Sequence, residues 1–237
     1  MNTEQEIHVN DRTVSGKPSL LLHACCGPCA TSCLERLAWD YEITAYYYNP
    51  NITDREEYLL RKETLINFID GFNELHKGDV GGNTFMQEYE ETVAQGKSLD
   101  ILNSVIKDKA GKTFTPVKLL EGPYDTDNYL AKTVSLKDEP ERGKRCDVCF
   151  AMRLEETAVK ADELGYDFFT TTMSVSPHKN YEKIKLLGDK LAEDRNIEFL
   201  DVEFKKKNGF ARSIQLSKSF KLYRQNFCGC EYARKKD

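Results

Sequence analysis

All eight cysteines of this chain stand in three short clusters. The clusters are Cys25-Cys26-Gly27-Pro28-Cys29 with Cys33 one helical turn further on, Cys146-Asp147-Val148-Cys149, and Cys228-Gly229-Cys230. Cysteines that serve only for packing scatter along core faces, whereas reactive cysteines gather where thiolates can meet on a metal or on each other. The spacing therefore indicates a metal site, a redox site, or both.

The first two clusters together offer four thiolates. Cys25 and Cys26 are adjacent, and a vicinal pair makes a poor disulfide because closing it distorts the peptide between them. Cys146 and Cys149 have the Cys-x-x-Cys spacing of a two-ligand clip. Four thiolates suit a [4Fe–4S] cluster or a structural zinc ion, and the spacing leaves both open. The vicinal pair favours a functional rather than a purely structural site, since it directly follows a predicted strand.

The remaining cysteines have other predicted roles. Cys29 should lie at a helix N-terminus, where the helix dipole favours a thiolate that could support a second metal or contact substrate. Cys33 is predicted to be an ordinary buried residue. Cys228 and Cys230 would close a very small, strained disulfide ring, and such disulfides are the labile, catalytic ones. Metal ligation by this last pair is the alternative.

Composition limits the class of protein. The chain has 237 residues, 40% of them hydrophobic, which predicts one domain, or one domain with an insertion, with a real core. A net charge of −5 argues against a basic nucleic-acid coat but permits local patches such as Lys205-Lys206-Lys207. Residues 1–17 form a polar extension without a secretory signal, and no apolar run reaches the roughly 20 residues that span a membrane. We therefore expect a cytoplasmic protein with no membrane partner, in which thiols stay reduced.

Short strands alternate with helices along most of the chain. Strands are predicted at residues 19–24, 43–48, 167–172 and 197–202, and helices at 28–39, 54–72, 129–136, 149–164, 181–191 and 213–221. Between 73 and 129 glycines punctuate the pattern, and helices are plausible only around 85–93 and 101–106. The alternation predicts a parallel sheet with helices on both faces. Ligands bind beyond the carboxyl ends of such strands, so the first cysteine cluster and Thr170-Thr171-Thr172 should share one edge.

Five motifs in a fixed order complete the pattern. They are His23-Ala24-Cys25-Cys26-Gly27-Pro28-Cys29, the segment from Arg145 to Leu154, Thr170-Thr171-Thr172, Ser176-Pro177-His178-Lys179-Asn180, and the segment from Leu222 to Cys230. With these motifs the chain resembles the QueH-type epoxyqueuosine reductases from roughly Leu20 to Tyr232. The resemblance implies a Rossmann-like α/β fold of the adenine-nucleotide hydrolase-like superfamily. The spacer between Cys25 and Cys146 is longer than the family pattern implies, which predicts an insertion at about 73–124.

The resemblance also implies an activity. Enzymes of this kind reduce epoxyqueuosine in the anticodon loop of tRNA to queuosine without cobalamin, and they need an external electron donor. By resemblance, Cys25, Cys26, Cys146 and Cys149 hold a [4Fe–4S] cluster, and Cys228 and Cys230 form a redox-active disulfide. Cys29 stands where some relatives have Asp, so it is the expected ligand of a second metal, iron or zinc. The expected substrate-binding residues are Ser176, His178, Lys179, Tyr223 and Arg224.

This chemistry suits the residues. Converting an epoxide to an alkene requires two electrons and removal of the oxygen as water. A metal with an open position can bind the epoxide oxygen as a Lewis acid, and a labile dithiol can supply or relay the electron pair. Two other functions stay open at this point. One is a zinc-stabilised tRNA-binding module without redox activity, and the other is an iron–sulfur thiol oxidoreductase with a different substrate.

Overall fold

A single parallel sheet organises the protein. The computed structural model describes residues 16–77, 109 and 111–233. Its five strands pair in the order β3-β2-β1-β4-β5, and every pairing is parallel. The strands are β1 Ser19–His23, β2 Glu42–Tyr47, β3 Lys118–Glu121, β4 Phe168–Thr171 and β5 Glu198–Phe199. The predicted Rossmann-like α/β architecture is confirmed.

Helices cover both faces of this sheet. They are α1 Gly27–Leu37, α2 Arg55–Leu75, α3 Thr126–Thr133, α4 Lys144–Glu163, α5 Tyr181–Ala192 and α6 Gly209–Ser219, with 3₁₀ turns at Val134–Leu136, Thr172–Val175 and Glu231–Ala233. Side chains alternate across a strand, so Leu20 and Leu22 join the core under α1 and α2, while Leu21 joins the core under α4 and α5. Among the described residues, no helix is both long and apolar enough to cross a membrane.

The order of the strands reverses at the centre of the sheet. The chain runs from β1 outward through β2 to β3, and then returns to place β4 on the other side of β1. In open parallel sheets, such a switch point leaves a crevice beyond the carboxyl ends of the two central strands. The first cysteine cluster follows β1, and the turn Thr172–Val175 follows β4. The Cys25 backbone N–H donates to Thr172 Oγ1 at 3.3 Å, which confirms the predicted common edge.

Close packing holds the first cysteine cluster in this crevice. Cys26 has an extended backbone and caps α1, and Pro28 lies in the first turn, where its missing N–H leaves no hydrogen bond unmade. A Cβ on Gly27 would lie 2.9 Å from both the side chain and the carbonyl oxygen of Thr64 on α2. Glycine is therefore needed for α1 to begin this close to α2.

Three elements differ from the sequence prediction. Strand β3 was not predicted, because its Lys-Leu-Leu-Glu sequence lacks the β-branched and aromatic residues that mark strands. It lies inside the range predicted as an insertion, yet it pairs with β2 in the main sheet. Helix α4 begins at Lys144 rather than near Cys149, so the second cysteine cluster is helical. Strand β5 has two residues instead of six.

Other predictions fall on residues whose structure is not described. The helices predicted at 85–93 and 101–106 lie outside the described residues, as does the extension up to residue 15. The single-domain organisation and the insertion at 73–124 stay predictions.

A buried ion pair joins α6 to α1. Arg212 donates through Nη2 to Glu35 Oε1 at 2.6 Å and through Nε to Glu35 Oε2 at 3.0 Å. Glu35 is only 1% exposed. Breaking a buried pair is costly because the remaining charge has lost both water and its partner.

We expect Arg212→Met to lower the free energy of unfolding by about 3–5 kcal/mol, since it leaves the Glu35 carboxylate buried without its guanidinium. Urea unfolding followed by circular dichroism measures this change. Lys160→Met is the matched control, because Lys160 pairs with Glu163 at the surface and exposed pairs contribute little. Equal losses in the two variants would contradict the prediction.

Candidate active site

Three thiols of the first cluster converge. The Sγ atoms of Cys25, Cys26 and Cys29 all lie within 4.8 Å of one another, and those of Cys25 and Cys26 are 3.8 Å apart. Among the described His, Cys, Asp and Glu residues, this is the one group of at least three with ligand atoms so close. Cys29 joins the adjacent pair because it occupies the first turn of α1, directly after the loop. We call these three residues the thiol trio.

The three thiols of the trio differ in pKa. Hydrogen bonds donated by Cys26 and Cys29 hold the pKa of Cys25 well below its ordinary value. Burial raises the pKa of Cys26 to about 12, and hydrogen bonding to Cys25 raises that of Cys29. In the metal-free protein, Cys25 is therefore the thiol of the trio that loses its proton most readily. The helix dipole, which was predicted to favour a Cys29 thiolate, is outweighed by these neighbouring thiols.

A buried arginine stands among the cysteines. Arg153 is 3% exposed, and its Nη2 donates to Asn49 Oδ1 at 2.8 Å. Its Nε donates to His23 Nε2 at 3.2 Å, and its Nη1 lies 3.9 Å from Cys149 Sγ. The charge of the guanidinium acts on one thiol from each cysteine cluster, namely Cys25, Cys149 and Cys228. Arg153 is thus the residue that the three clusters share.

His23 supports this arginine from the end of β1. It is fully buried, and its Nδ1 lies 2.8 Å from Thr171 Oγ1, which confirms the predicted core histidine. Desolvation, reinforced by the charge of Arg153, lowers the His23 pKa to about 3. The ring is therefore neutral at working pH and can accept from a guanidinium, which has only donors.

Sequence reasoning assigned no role to Arg153. The signal was available, because Cys149 and Arg153 are four residues apart on one helix and must share a face. What spacing could not show is that this face turns toward the first and third clusters.

The cysteines of the second cluster do not belong to the trio. Cys146 lies in the first turn of α4 and accepts a hydrogen bond from the Arg142 backbone N–H at 3.2 Å. Cys149 is buried beside Arg153, and this burial raises its pKa. Neither belongs to the group of sulfur atoms within 4.8 Å of one another. The predicted four-ligand set, Cys25 and Cys26 with Cys146 and Cys149, therefore stays a prediction.

The third cluster pairs a thiolate with a thiol. Hydrogen bonding by Cys230 lowers the pKa of Cys228 to about 5, and the nearby Lys179 ammonium acts in the same direction. The same hydrogen bond raises the pKa of Cys230, whose sulfur also accepts from the Tyr129 hydroxyl at 3.2 Å. Both cysteines are free thiols in the structure, so the disulfide itself stays a prediction.

The C-terminal segment closes over the trio. Gly229 has a left-handed backbone with φ of 97°, and a Cβ there would lie 2.7 Å from Ile52 Cγ1, so only glycine fits. Asn51 Nδ2 donates to the Cys228 carbonyl oxygen at 2.9 Å. Gln225 Nε2 donates to Cys26 Sγ, also at 2.9 Å. These contacts attach the third cluster to the first.

A cavity of about 290 Å³ lies between these clusters. Three cysteines line it, with four cationic side chains, one carboxylate and several apolar groups: Cys25, Cys29, Cys228, Arg61, Arg153, Lys179, Arg224, Glu141, Met173, Phe210 and Phe227. The excess of positive charge suits an anionic ligand, and the apolar groups suit a base or ring. We call this space the thiol cavity.

Most of the predicted substrate-binding residues line the thiol cavity. Ser176, His178, Lys179 and Arg224 do so, whereas Tyr223 is not among its lining residues. The Tyr223 hydroxyl instead donates to Glu57 Oε2 at 3.0 Å. In the lysine run at 205–207, Lys205 and Lys206 both pair with Glu203, at 2.9 and 2.6 Å, so part of its charge is neutralised.

Comparison with known proteins identifies the family. The family model for the epoxyqueuosine reductase QueH matches residues 20–101 and 102–236. The chain belongs to this family. A relative named Epoxyqueuosine reductase QueH from Streptococcus pyogenes is 35% identical over 221 residues, covering 93% of this chain and 72% of its own length. Relatives of the same name from Staphylococcus epidermidis and Thermotoga maritima are 34% and 28% identical, covering 93% and 91% of this chain and 78% and 90% of their own lengths. The resemblance carried by the five motifs is confirmed.

The site of this QueH-family chain fits a thiolate-bound metal. Three sulfur atoms within 4.8 Å of one another can act as ligands of one metal centre. A buried guanidinium lies beside them and balances the negative charge that metal-bound thiolates carry. The trio can therefore bind metal.

We expect iodoacetamide to alkylate Cys228 with a rate that rises through a midpoint near pH 5, because the thiolate is the nucleophile. Removing the hydrogen-bond donor in Cys230→Ala should shift that midpoint up toward the ordinary thiol value of about 8.5. Peptide mass spectrometry of the Cys228 peptide, in the metal-free protein, measures the rate at each pH.

Cys33→Ala is the control, because Cys33 is buried and its thiol donates only to the Cys29 carbonyl oxygen. A midpoint that stays near pH 5 in Cys230→Ala would show that Cys230 does not set the Cys228 pKa.

Proposed function

We propose that this protein reduces epoxyqueuosine to queuosine in the anticodon loop of tRNA, the last step of queuosine synthesis. The observation that carries the proposal is that Cys25 and Cys29 of the thiol trio line one cavity with the Cys228 thiolate in a member of the QueH family. The name of the family supplies the substrate. The cationic side chains around the cavity support a nucleic acid as the carrier of the epoxyqueuosine, because phosphate contacts dominate the affinity of proteins for nucleic acids. A tRNA substrate in turn implies a cytoplasmic enzyme.

The proposal also assigns the cofactors and their ligands. Cys25, Cys26, Cys146 and Cys149 would hold a [4Fe–4S] cluster, and Cys29 would ligate a second metal, iron or zinc. When bound, these groups supply single electrons and an electrophile for the epoxide oxygen. The proximity of Cys29 to Cys25 and Cys26 supports a second centre next to the first, and it also supports an alternative ligand set built on the trio.

The residues of the chain supply the dithiol chemistry. Cys228 is the thiolate, and Cys230 keeps a proton next to the Tyr129 hydroxyl. Oxidation of this pair to a disulfide releases two electrons and the Cys230 proton. The complete reaction consumes two electrons and two protons and yields the alkene and water. An external reductant must then return two electrons to the disulfide before the next turnover.

Other residues would hold the substrate. Lys179 lines the thiol cavity, and its charge also acts on Cys228, so it lies where an RNA phosphate and the reactive sulfur would meet. Arg224 lines the same cavity and is anchored by donating to Ser217 Oγ at 2.9 Å. The apolar side chains of Phe227 and Met173 can pack against the base or the cyclopentane ring.

The alternatives have less support. A zinc-stabilised module without redox activity is not favoured, since the family and its named relatives are reductases. An iron–sulfur oxidoreductase acting on a small molecule would not need the cationic excess around the cavity. Assays with and without the tRNA carrier distinguish this second alternative.

We expect anaerobic incubation with epoxyqueuosine-containing tRNA, a chemical reductant and the metal-loaded protein to produce queuosine, detected by nucleoside mass analysis. Cys228→Ser should lose multiple turnover, because the dithiol can no longer be oxidised and reduced, while its iron content stays at the wild-type level. Conversion of the free nucleoside as fast as the tRNA would count against a tRNA enzyme. Normal turnover by Cys228→Ser would count against the dithiol.

We expect Cys146→Ala to lower bound iron and sulfide sharply if the second cluster supplies two of the four ligands. Cys33→Ala is the matched control, because Cys33 is buried in the core and removing its sulfur deletes no proposed ligand. Iron and acid-labile sulfide per chain, with the absorption near 400 nm, report the result. Full occupancy in Cys146→Ala together with loss in Cys29→Ala would replace the proposed set by one built on the trio.

A further inference from the structure

Unlike the buried Arg61 and Arg212, Arg153 forms no ion pair with a carboxylate of the described residues. Arg61 and Arg212 each contact a carboxylate, Glu57 and Glu35, both at 2.6 Å. In the part of the chain that the structure describes, no carboxylate oxygen lies within 4.0 Å of the Arg153 guanidinium, which contacts an amide oxygen, an imidazole and a thiol. A buried charge without a partner of opposite sign is costly. The fold therefore retains Arg153 where the charges that act on it come from the thiols Cys149, Cys25 and Cys228.

The ends of three strands hold the guanidinium in this position. Asn49 follows β2, accepts from Arg153, and donates through Nδ2 to the Ala24 carbonyl oxygen at 3.0 Å. His23 ends β1, accepts from Arg153 Nε, and contacts Thr171 at the end of β4. Asn49 and His23 each hold one side of the planar guanidinium. The guanidinium therefore cannot turn away from the thiols.

We propose that Arg153 is a positioning residue whose fixed positive charge sets the reduction potential of the metal–thiolate centre. The inference rests on the proposed function in one respect, namely that the thiols bind a redox-active metal centre. Each electron that such a centre gains makes it more negative, and a cation nearby in a medium of low dielectric stabilises the more negative state. Arg153 therefore raises the potential, so that a weaker external donor suffices to reduce the centre.

A purely structural role makes a different prediction. If Arg153 only fills space and bridges the strand ends, its removal should lower stability and leave the potential of the loaded protein unchanged. The matched control is Arg212→Met, which also removes a buried guanidinium but does so at the α1–α6 contact with Glu35.

The experiment is an anaerobic redox titration with dithionite and mediators, following the absorption near 400 nm, on protein with measured iron and sulfide content. We expect Arg153→Met to change the ratio of oxidised to reduced centre at least tenfold toward oxidised, a shift of about 59 mV to lower potential for a one-electron couple. Arg153→Lys, which keeps the charge, should recover most of the shift. Arg212→Met should keep the wild-type potential. A wild-type potential in fully loaded Arg153→Met would overturn the inference.

A second neutral variant keeps the test possible if Arg153→Met does not bind the metal. Arg153→Gln keeps amide donors for Asn49 and His23, and the same titration applies to it if Arg153→Met does not load. Loss of iron in both neutral variants with retention in Arg153→Lys would overturn the inference, because the positive charge would then serve metal binding rather than the reduction potential. Loss in all three variants refutes it, because the fork geometry would then matter rather than the charge. Failure of the proposed function itself would appear in the wild type, as protein without iron or without turnover.

Discussion

The parallel pairing of β1 with β4 is the constraint on which the site depends. In this register His23 lies opposite Thr171, so Cys25 and Thr172 leave the sheet side by side. A slip of one residue would turn Leu21 toward the wrong core and reverse every side chain of β1. Hydrophobic packing on both faces of the sheet therefore fixes the position of the cysteines, although no cysteine lies in the sheet itself.

The second constraint is closure by the C-terminal segment. Gln225 and Cys26 are 199 positions apart in sequence, yet one hydrogen bond joins them. The contact depends on Gly229, whose left-handed backbone allows the chain to pass close to Ile52. Without this closure the Cys228 thiolate would not line the same cavity as Cys25. Two reactive sulfur groups become one site because a single glycine permits a turn that other residues cannot make without strain.

The thiols follow a common electrostatic pattern. In the first and third clusters, one sulfur has a depressed pKa, and its neighbours, which hydrogen-bond to it, have raised pKa values. Cys228 is therefore a thiolate above about pH 5 and loses that charge as the pH falls below it. Each of these two clusters thus offers one thiolate, as a nucleophile or metal ligand, beside a thiol that keeps its proton. The positive charge of Arg153 acts on both Cys25 and Cys228 and stabilises their charged forms.

The α/β class could be predicted from the sequence, because strand and helix periods are local properties of short segments. The sequence also indicated the family, since five motifs in fixed order are a one-dimensional pattern, and it identified Ser176, His178, Lys179 and Arg224 as neighbours of the site. The folded chain was needed to show that β3 joins the sheet, that Cys29 groups with Cys25 and Cys26, and that the charge of Arg153 acts on thiols of three clusters. Pairing, sulfur distances and pKa values depend on burial and on neighbours far away in the chain. Spacing along the sequence carries no information about either.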